Sequence, residues 1–253
     1  MTSEDPEKQG AESNEEQMTA EEYRQVAKVL TREERWEDLA ALFIERAETA
    51  NSASNRARHL VHAAQVFEKN LGDTDRAYIT LLAAFQDDPA SEDAASELAR
   101  VTSSLGRFPE LLEECMGVAA QLTPPEKQAA MYVAISTWFQ EQVGDAESSE
   151  HALEAALAAD PANSAALRSL VNSHKLRGDF SRAAAYLAGA SAATRDDELR
   201  VGYGLDAAEL YRSRIGDRDA ASELYRRVLE ADPANKPAAS FARGWPYRRR
   251  PAA

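Results

Sequence analysis

Three stretches of the chain decide its fold: GDTDRAYITLLAAFQDDP at residues 72–89, GDAESSEHALEAALAADP at 144–161 and GDRDAASELYRRVLEADP at 216–233. Each begins with Gly-Asp, ends with Asp-Pro and starts 72 residues after the previous one. Trp36, Phe108 and Phe180 repeat with the same period. A fixed period of this size is typical of stacked supersecondary units, because one unit alone cannot bury its apolar face. The sequence therefore predicts a solenoid.

A shorter repeat divides each period. Its markers are separated by 34, 38, 34 and 38 residues, and they are Gly72, Gly106, Gly144, Gly178 and Gly216. Each period therefore holds two helical hairpins, with a glycine at the turn. Counting 38 residues back from Gly72 reaches Glu34, just before Trp36, so a first hairpin fits the series although its turn lacks glycine. The sequence predicts six hairpins.

The residues around these turns resemble the tetratricopeptide repeat, a helix-turn-helix unit of about 34 residues. In the even-numbered units the first-helix residues that carry the resemblance are Ala63-Ala64-Phe67, Ile135-Ser136-Phe139 and Ala207-Ala208-Tyr211. In the odd-numbered units they are Val26-Ala27-Leu30, Leu98-Ala99-Thr102 and Leu170-Val171-His174. The family's terminal proline has counterparts in Pro89, Pro161 and Pro233. Even-numbered units carry one extra residue before the glycine, so we expect their first helix to run long.

The resemblance implies an all-α, right-handed α-solenoid of about six tetratricopeptide-like hairpins, forming one array over residues 19–242. The units are expected near residues 20–53, 58–90, 92–125, 130–162, 164–197 and 202–234. Residues 1–18 are predominantly acidic, and we interpret them as a disordered tail. Residues 243–253 form a basic aromatic tail that contains Trp245, Tyr247 and several arginines.

Composition limits the class of partner. The formal net charge of -14 argues against a nucleic-acid ligand, because affinity for phosphate backbones comes from clustered Lys and Arg. No apolar run approaches the roughly 18 residues that a membrane span needs, so we expect no contact with a membrane. The acidic start lacks the features of a secretory signal and the chain has a single cysteine, which together favour a cytoplasmic location.

The chain shows no motif for catalysis or for a cofactor. It has neither a GxGxxG nor a GxxxxGK[ST] loop, and no segment has the pattern of a strand. His59 and His62 have no third ligand near them, so we interpret them as a solvated pair rather than a metal site. Cys115 occupies a packing position of the repeat, which predicts a small core residue, and His174 occupies one that predicts a packed or half-exposed histidine. We therefore expect no enzyme activity, no cofactor and no metal.

The resemblance also implies a binding groove, since repeats of this family hold extended peptides or helices along their first helices at sites five and nine. In the odd-numbered units these sites supply the candidate binding residues Arg24, Lys28, Arg100, Arg168 and Asn172, together with Ser96. Such a basic row suits an acidic peptide, including the chain's own tail. The alternative is that these cations pair with carboxylates of the array. The even-numbered units place Val61, Gln65, Val133, Thr137, Leu205 and Glu209 at the same sites, a mixture that also suits an amphipathic helix.

The function predicted from these features is that of a non-catalytic scaffold that binds a protein or peptide in the groove. One alternative is a structural solenoid that self-associates through its exposed array end, since residues 237–242 begin like a further first helix that Gly244 and Pro246 then stop. Another alternative is a regulatory or accessory subunit of a larger complex.

Overall fold

The computed structural model describes residues 18–244 and shows them as a series of helices. No β-strand occurs within this range. The helices are α1 (Ala20–Arg32), α2 (Trp36–Glu48), α3 (Ala53–Lys69), α4 (Thr74–Asp87), α5 (Glu92–Leu105), α6 (Phe108–Ala119), α7 (Pro125–Trp138), α8 (Ala146–Ala159), α9 (Ser164–Leu176), α10 (Phe180–Ala193), α11 (Asp197–Leu210), α12 (Arg218–Ala231) and α13 (Lys236–Gly244). α1 to α12 pair as the six predicted hairpins, so the all-α repeat fold is confirmed. The two predicted tails lie outside the described residues, apart from Met18 and the end of α13.

The turn inside each hairpin needs a left-handed backbone. The five marker glycines have φ between 66° and 81°, a region that a side chain disfavours. Glu34 takes φ 55° at the equivalent position of the first hairpin. The first hairpin therefore makes the same turn without glycine, as the spacing predicts.

The extra residue of the even-numbered units is absorbed at the end of the first helix. α7 and α11 each continue into a π-helical turn, Phe139–Val143 and Tyr211–Ile215. In the odd-numbered units the residue after the turn donates its N–H five residues back, as Arg107 does to the Thr102 carbonyl. In the even-numbered units Asp145 donates six residues back, to Phe139. The wider hydrogen-bonded ring accommodates one more residue, and it keeps the large first-helix side chain of the motif, such as Phe139, at its repeat position. The prediction of a longer first helix is confirmed.

Aspartates lie at two kinds of boundary in the array, the start of the second helix in the even-numbered hairpins and the Asp-Pro boundaries. Asp73, Asp145 and Asp217 cap the second helices of the even-numbered hairpins through side-chain oxygens that accept backbone N–H groups. At the Asp-Pro boundaries, Asp160 Oδ1 accepts the N–H of Ala162 at 3.0 Å, and the two equivalent aspartates make the same turn. The recurring sequence markers therefore specify the ends of helices.

The first helices of the even-numbered hairpins begin before the small-aromatic motif. α3, α7 and α11 start at residues 53, 125 and 197, five residues upstream of the unit starts estimated from the motif. The apolar core follows the array without a gap, since Leu157 and Tyr186 pack against both the N-terminal and the C-terminal clusters of buried residues.

The C-terminal end of the array is covered by α13. Phe241 of α13 packs on Tyr225 of α12 with ring centroids 4.5 Å apart, and Ala238 is fully buried between the helices. Lys236, Ser240 and Arg243 are exposed on the outer side of α13. Within residues 18–244, this helix therefore covers apolar surface of the sixth hairpin.

Candidate functional site

The first helices α3, α5 and α7 line two adjoining cavities. The α5–α7 cavity has a volume of about 470 Å³ and extends to the start of α9. The α3–α5 cavity has a volume of about 270 Å³. Ser91 and Ser96 of the α5 region border both, so the two cavities form one continuous groove.

The α5–α7 cavity has an apolar surface. Its walls include Ala95 and Ala99 of α5 and Val133 and Ala134 of α7, with the buried Trp138 among the residues around it. Trp138 is fixed from behind by Phe85 of α4, whose ring centroid lies 4.9 Å away. Small side chains on one helix facing an aromatic on the next leave a cleft that a side chain of a ligand can enter.

The α3–α5 cavity has a polar surface. Arg58, His62 and Gln65 line it from α3, and Asp93 and Glu97 line it from α5. Both signs of charge are therefore present within a few turns of helix. This mixture can orient a bound segment by hydrogen bonds while the apolar cavity next to it takes an anchor side chain.

The residues of the predicted basic row differ in how they pair with carboxylates of the array. Arg100 donates from Nη1 to Glu68 Oε1 at 2.7 Å and from Nη2 to Glu97 Oε2 at 2.7 Å. These hydrogen bonds raise the pKa of Arg100, and the bond from Arg100 lowers the pKa of Glu68. The structure thus places Arg100 in the internal pairing that the sequence left open as an alternative.

The other candidates remain on the surface of odd-numbered first helices. Arg24 donates to Glu21 at 3.1 Å, and both side chains are about two-thirds exposed, so the pair contributes little. Lys28 and Arg168 are exposed and make no ion pair with residues 18–244. Asn172 is exposed one turn after Arg168 on α9. The structure does not bring Lys28 and Arg168 together, because they lie on α1 and α9.

The interpretation of His59 and His62 as a solvated pair holds for His62, which is exposed, but not for His59, which is half-buried. The His59 ring packs edge-on against Tyr23 with centroids 5.8 Å apart, and the His62 ring lies 5.2 Å from that of Phe43. Burial lowers the pKa of both histidines, and their mutual repulsion adds to the effect at His59. The sequence did not show this contact, because Tyr23 and Phe43 come from α1 and α2. Residues 18–244 contain no group of three or more potential ligands placed to hold a metal ion.

Cys115 is a core residue, as predicted, and His174 takes the packed rather than the half-exposed of its two predicted states. Cys115 is fully buried, and desolvation raises the pKa of its thiol to about 12, which keeps it protonated and unreactive. His174 is buried and stacks on Tyr186 at a centroid distance of 5.5 Å.

His174 belongs to a charged junction that the sequence analysis missed. Its Nε2 lies 3.2 Å from Glu150 Oε1, although it makes no hydrogen bond with residues 18–244. Arg177 and Arg182 both donate to Glu150. Burial opposes the charge on Glu150, but the hydrogen bond from Arg177 and the nearby cations overcome it and lower the pKa of Glu150. One carboxylate thus binds two arginines of the next hairpin and lies beside the buried His174.

Comparison with known proteins agrees with the helical repeat. Residues 206–238, which contain most of the sixth hairpin, match the family model described as tetratricopeptide repeat. A search of curated proteins found no match. No helix between residues 18 and 244 combines the length and the apolar character that crossing a membrane would require.

Solved structures of similar chains also exist. PilW, a widely conserved type IV pilus biogenesis factor, is 17% identical with a TM-score of 0.35, over 86% of this chain and 96% of its own. YrrB, a tetratricopeptide repeat protein with an unusual peptide-binding site, is 13% identical with a TM-score of 0.34, over 74% and 92%. The pilF protein of Pseudomonas aeruginosa is 13% identical with a TM-score of 0.38, over 89% and 97%.

Proposed function

We propose that this tetratricopeptide repeat protein is a non-catalytic scaffold that binds an extended protein segment or an amphipathic helix along α3, α5 and α7. The observation that carries the proposal is the continuous groove made by the α3–α5 and α5–α7 cavities. An apolar side chain of the partner enters the α5–α7 cavity between Ala99 and Val133. Polar groups of the partner meet Arg58, Gln65 and Glu97 in the α3–α5 cavity.

The groove favours this partner class over a purely acidic ligand. Arg100 of α5 already binds Glu68 and Glu97, and Arg58 shares the α3–α5 cavity with Asp93 and Glu97, so the groove has no surplus of positive charge. The apolar volume of about 470 Å³ is large enough for one or two large side chains. The burial of such an anchor supplies most of the affinity, and the polar cavity selects register and direction.

The proposal can be tested by photo-cross-linking from inside the groove. A photoreactive amino acid replaces the exposed Thr137 beside the α5–α7 cavity, and a second protein carries it at the exposed Glu113 of α6. We expect a partner captured from Thr137 but not from Glu113, and we expect Val133→Asp to abolish that capture because a carboxylate enters the apolar cavity. Equal capture from both positions, or capture unaffected by Val133→Asp with helicity retained, would remove this groove as the binding site.

A further inference from the structure

A third cavity lies at the turns of the fifth and sixth hairpins and shares no lining residue with the α3–α7 groove. This α9–α11 cavity has a volume of about 660 Å³ and is lined by Asn172, Lys175, Leu176, Phe180, Leu210 and Arg214. Its residues come from the end of α9, the start of α10, the end of α11 and the π-helical turn that follows α11. None of the lining residues is acidic.

Apolar side chains in this cavity are more exposed than their equivalents elsewhere in the array. Leu176 is 89% exposed. The residues at the same position of the two preceding odd-numbered hairpins, 72 and 144 residues earlier, are the polar Ser104 and Arg32. Leu210 is half-buried, whereas its equivalent Trp138 is 3% exposed. This junction therefore presents apolar surface where the earlier junctions present polar groups or bury their large residue.

The same junction also gains positive charge. Lys175 stands where the earlier hairpins have Ser103 and Thr31. Arg214 stands where they have Gln142 and Asn70. Two positions that are neutral in the earlier hairpins are therefore both cationic at this junction.

Neither cation is neutralised within the described part of the chain. Lys175 and Arg214 make no ion pair with any carboxylate from residue 18 to residue 244. The Arg214 guanidinium lies over the Phe180 ring, with Cζ 5.2 Å from its centroid. This contact holds the guanidinium at the wall of the cavity and leaves its hydrogen-bond donors available to a carboxylate.

We propose that the α9–α11 cavity is a second docking site, for an acidic protein segment that carries a large apolar side chain. The apolar side chain contacts Leu176, Phe180 and Leu210, and flanking carboxylates of the segment bind Lys175 and Arg214. Apolar contact and charge complementarity are both needed to match the surface, because either class of residue alone leaves half of the lining without a partner.

The tails of the same chain match this chemistry poorly. Residues 1–17 are acidic, but their only large apolar side chain is Met1. Residues 245–253 contain Trp245 and Tyr247, yet Arg248, Arg249 and Arg250 would repel Lys175 and Arg214. The proposal therefore commits to a segment of another protein rather than to either of these two stretches. The inference is independent of the proposed function of the α3–α7 groove, since the two sites share no residue.

The repeat itself supplies variants that test the site. Lys175→Ser, Leu176→Ser and Arg214→Gln introduce the residues that the third and fourth hairpins already carry at the equivalent positions, so we expect the fold to be retained. The probe is a fluorescein-labelled octapeptide, Glu-Asp-Glu-Leu-Phe-Glu-Asp-Glu, followed by fluorescence anisotropy with the full chain. A second peptide replaces Leu-Phe with Ser-Ser.

We expect saturable binding of the first peptide that weakens as salt is added. Leu176→Ser alone, and Lys175→Ser with Arg214→Gln, should each weaken the binding by about tenfold or more. The Ser-Ser peptide should bind at least about tenfold more weakly than the first peptide. The matched control is Lys69→Ser with Arg195→Gln, which removes two exposed cations elsewhere and should leave binding unchanged.

Three results would overturn the proposal. They are no saturable binding up to about 1 mM peptide, equal binding of the Ser-Ser peptide, and equal loss of binding in the control variant. If a site variant fails to fold, a peptide with photoreactive benzoylphenylalanine in place of Phe is cross-linked to the unaltered chain. Cross-links at residues 172–180 and 210–214 support the site, and cross-links confined to other helices exclude it.

Discussion

Glu34 adopts the left-handed backbone conformation that Gly106 adopts at the equivalent turn two hairpins later, with φ 55° and 66° respectively. A side chain in this region costs about 1 kcal/mol or more, because Cβ approaches the carbonyl oxygen. The first hairpin therefore carries strain at its turn that the other five avoid.

Glu34→Gly should relieve this strain. We expect the free energy of unfolding to rise by about 0.5 to 1 kcal/mol, the backbone gain being partly offset by the greater freedom of glycine in the unfolded chain. The converse change, Gly106→Glu, should lower it by about 1 kcal/mol. Urea denaturation followed by circular dichroism measures both. If Glu34→Gly destabilised the chain, the strain assigned to this turn would be absent.

Ser136 and Ser149 form a buried hydroxyl pair where the neighbouring even-numbered hairpins have alanines. Their oxygens are 3.0 Å apart, and the equivalent pairs are the buried Ala64 with Ala77 and Ala208 with Ala221. Either single Ser→Ala change leaves one buried hydroxyl without its partner, and should cost about 1 to 2 kcal/mol. The double change reproduces the alanine pair, and should lie within about 0.5 kcal/mol of the original chain. Additive losses in this double-mutant cycle would show that the two hydroxyls are not coupled.

The sequence predicts the backbone of the array better than its surface. Turns with positive φ and Asp-Pro boundaries require particular residue types, so Gly144, Asp145 and Asp160 mark them in the sequence itself. The extra residue of the even-numbered units is likewise visible in the spacing, although the π-helical turn that absorbs it is a finding of the structure.

Surface sites depend on side chains brought together from several helices. Ala99, Val133 and Trp138 are ordinary residues of the repeat taken singly, and only their packing leaves the α5–α7 cavity open. The partner of Arg100 was equally open in the sequence, because carboxylates of both α3 and α5 lie within its reach. Comparison of equivalent positions could have revealed Leu176, whose counterparts Ser104 and Arg32 are polar.

His59 and His62 make the stability of the N-terminal hairpins depend on pH. Burial lowers the pKa of both below the ordinary 6.5, so the folded chain resists protonation that the unfolded chain accepts. The contribution of the neutral histidines to the free energy of unfolding is therefore fully present above pH 6.5. It is lost as the pH falls through 6.5 toward the lowered pKa values of the folded chain. We expect the urea midpoint to fall between about pH 7.5 and about pH 5.5.

His59→Leu with His62→Gln should reduce this dependence. Carboxylates with lowered pKa values, such as Glu68, titrate below 4.5 and do not contribute in the same window. The exposed His151 provides the control, since His151→Gln should leave the pH dependence as it is. A dependence equally strong without His59 and His62 would assign it to other groups.

Loss of the Glu150 carboxylate should lower the stability of the array strongly. Its side chain is 15% exposed and binds Arg177 and Arg182 of the next hairpin. Glu150→Gln should lower the free energy of unfolding by about 1 to 3 kcal/mol, because Arg177 and Arg182 lose their common partner. Glu147→Gln, three residues earlier on the exposed side of α8, should change it by no more than about 0.5 kcal/mol. Equal effects in thermal denaturation would mean that the junction contributes nothing specific.

The basic row on the odd-numbered first helices can be separated into a binding and a structural part. Lys28 and Arg168 make no ion pair within residues 18–244, so Lys28→Glu with Arg168→Glu should change stability by no more than about 0.5 kcal/mol. Arg100→Gln leaves Glu68 and Glu97 facing each other without their cation, and should cost about 1 kcal/mol, a value reduced by the partial exposure of the pair.

If these cations bind an acidic partner, Lys28→Glu with Arg168→Glu should reduce its recovery in a cross-linked pull-down at unchanged helicity. Recovery should then fall further when Arg24→Glu is added, because all three residues are exposed on odd-numbered first helices. Another outcome is that only Arg100→Gln reduces recovery of the partner, in proportion to the stability that this variant loses. In that case the contacts of Arg100 with Glu68 and Glu97 are structural. The basic row is then excluded as a partner surface, and the α5–α7 and α9–α11 cavities are left as the sites that select partners.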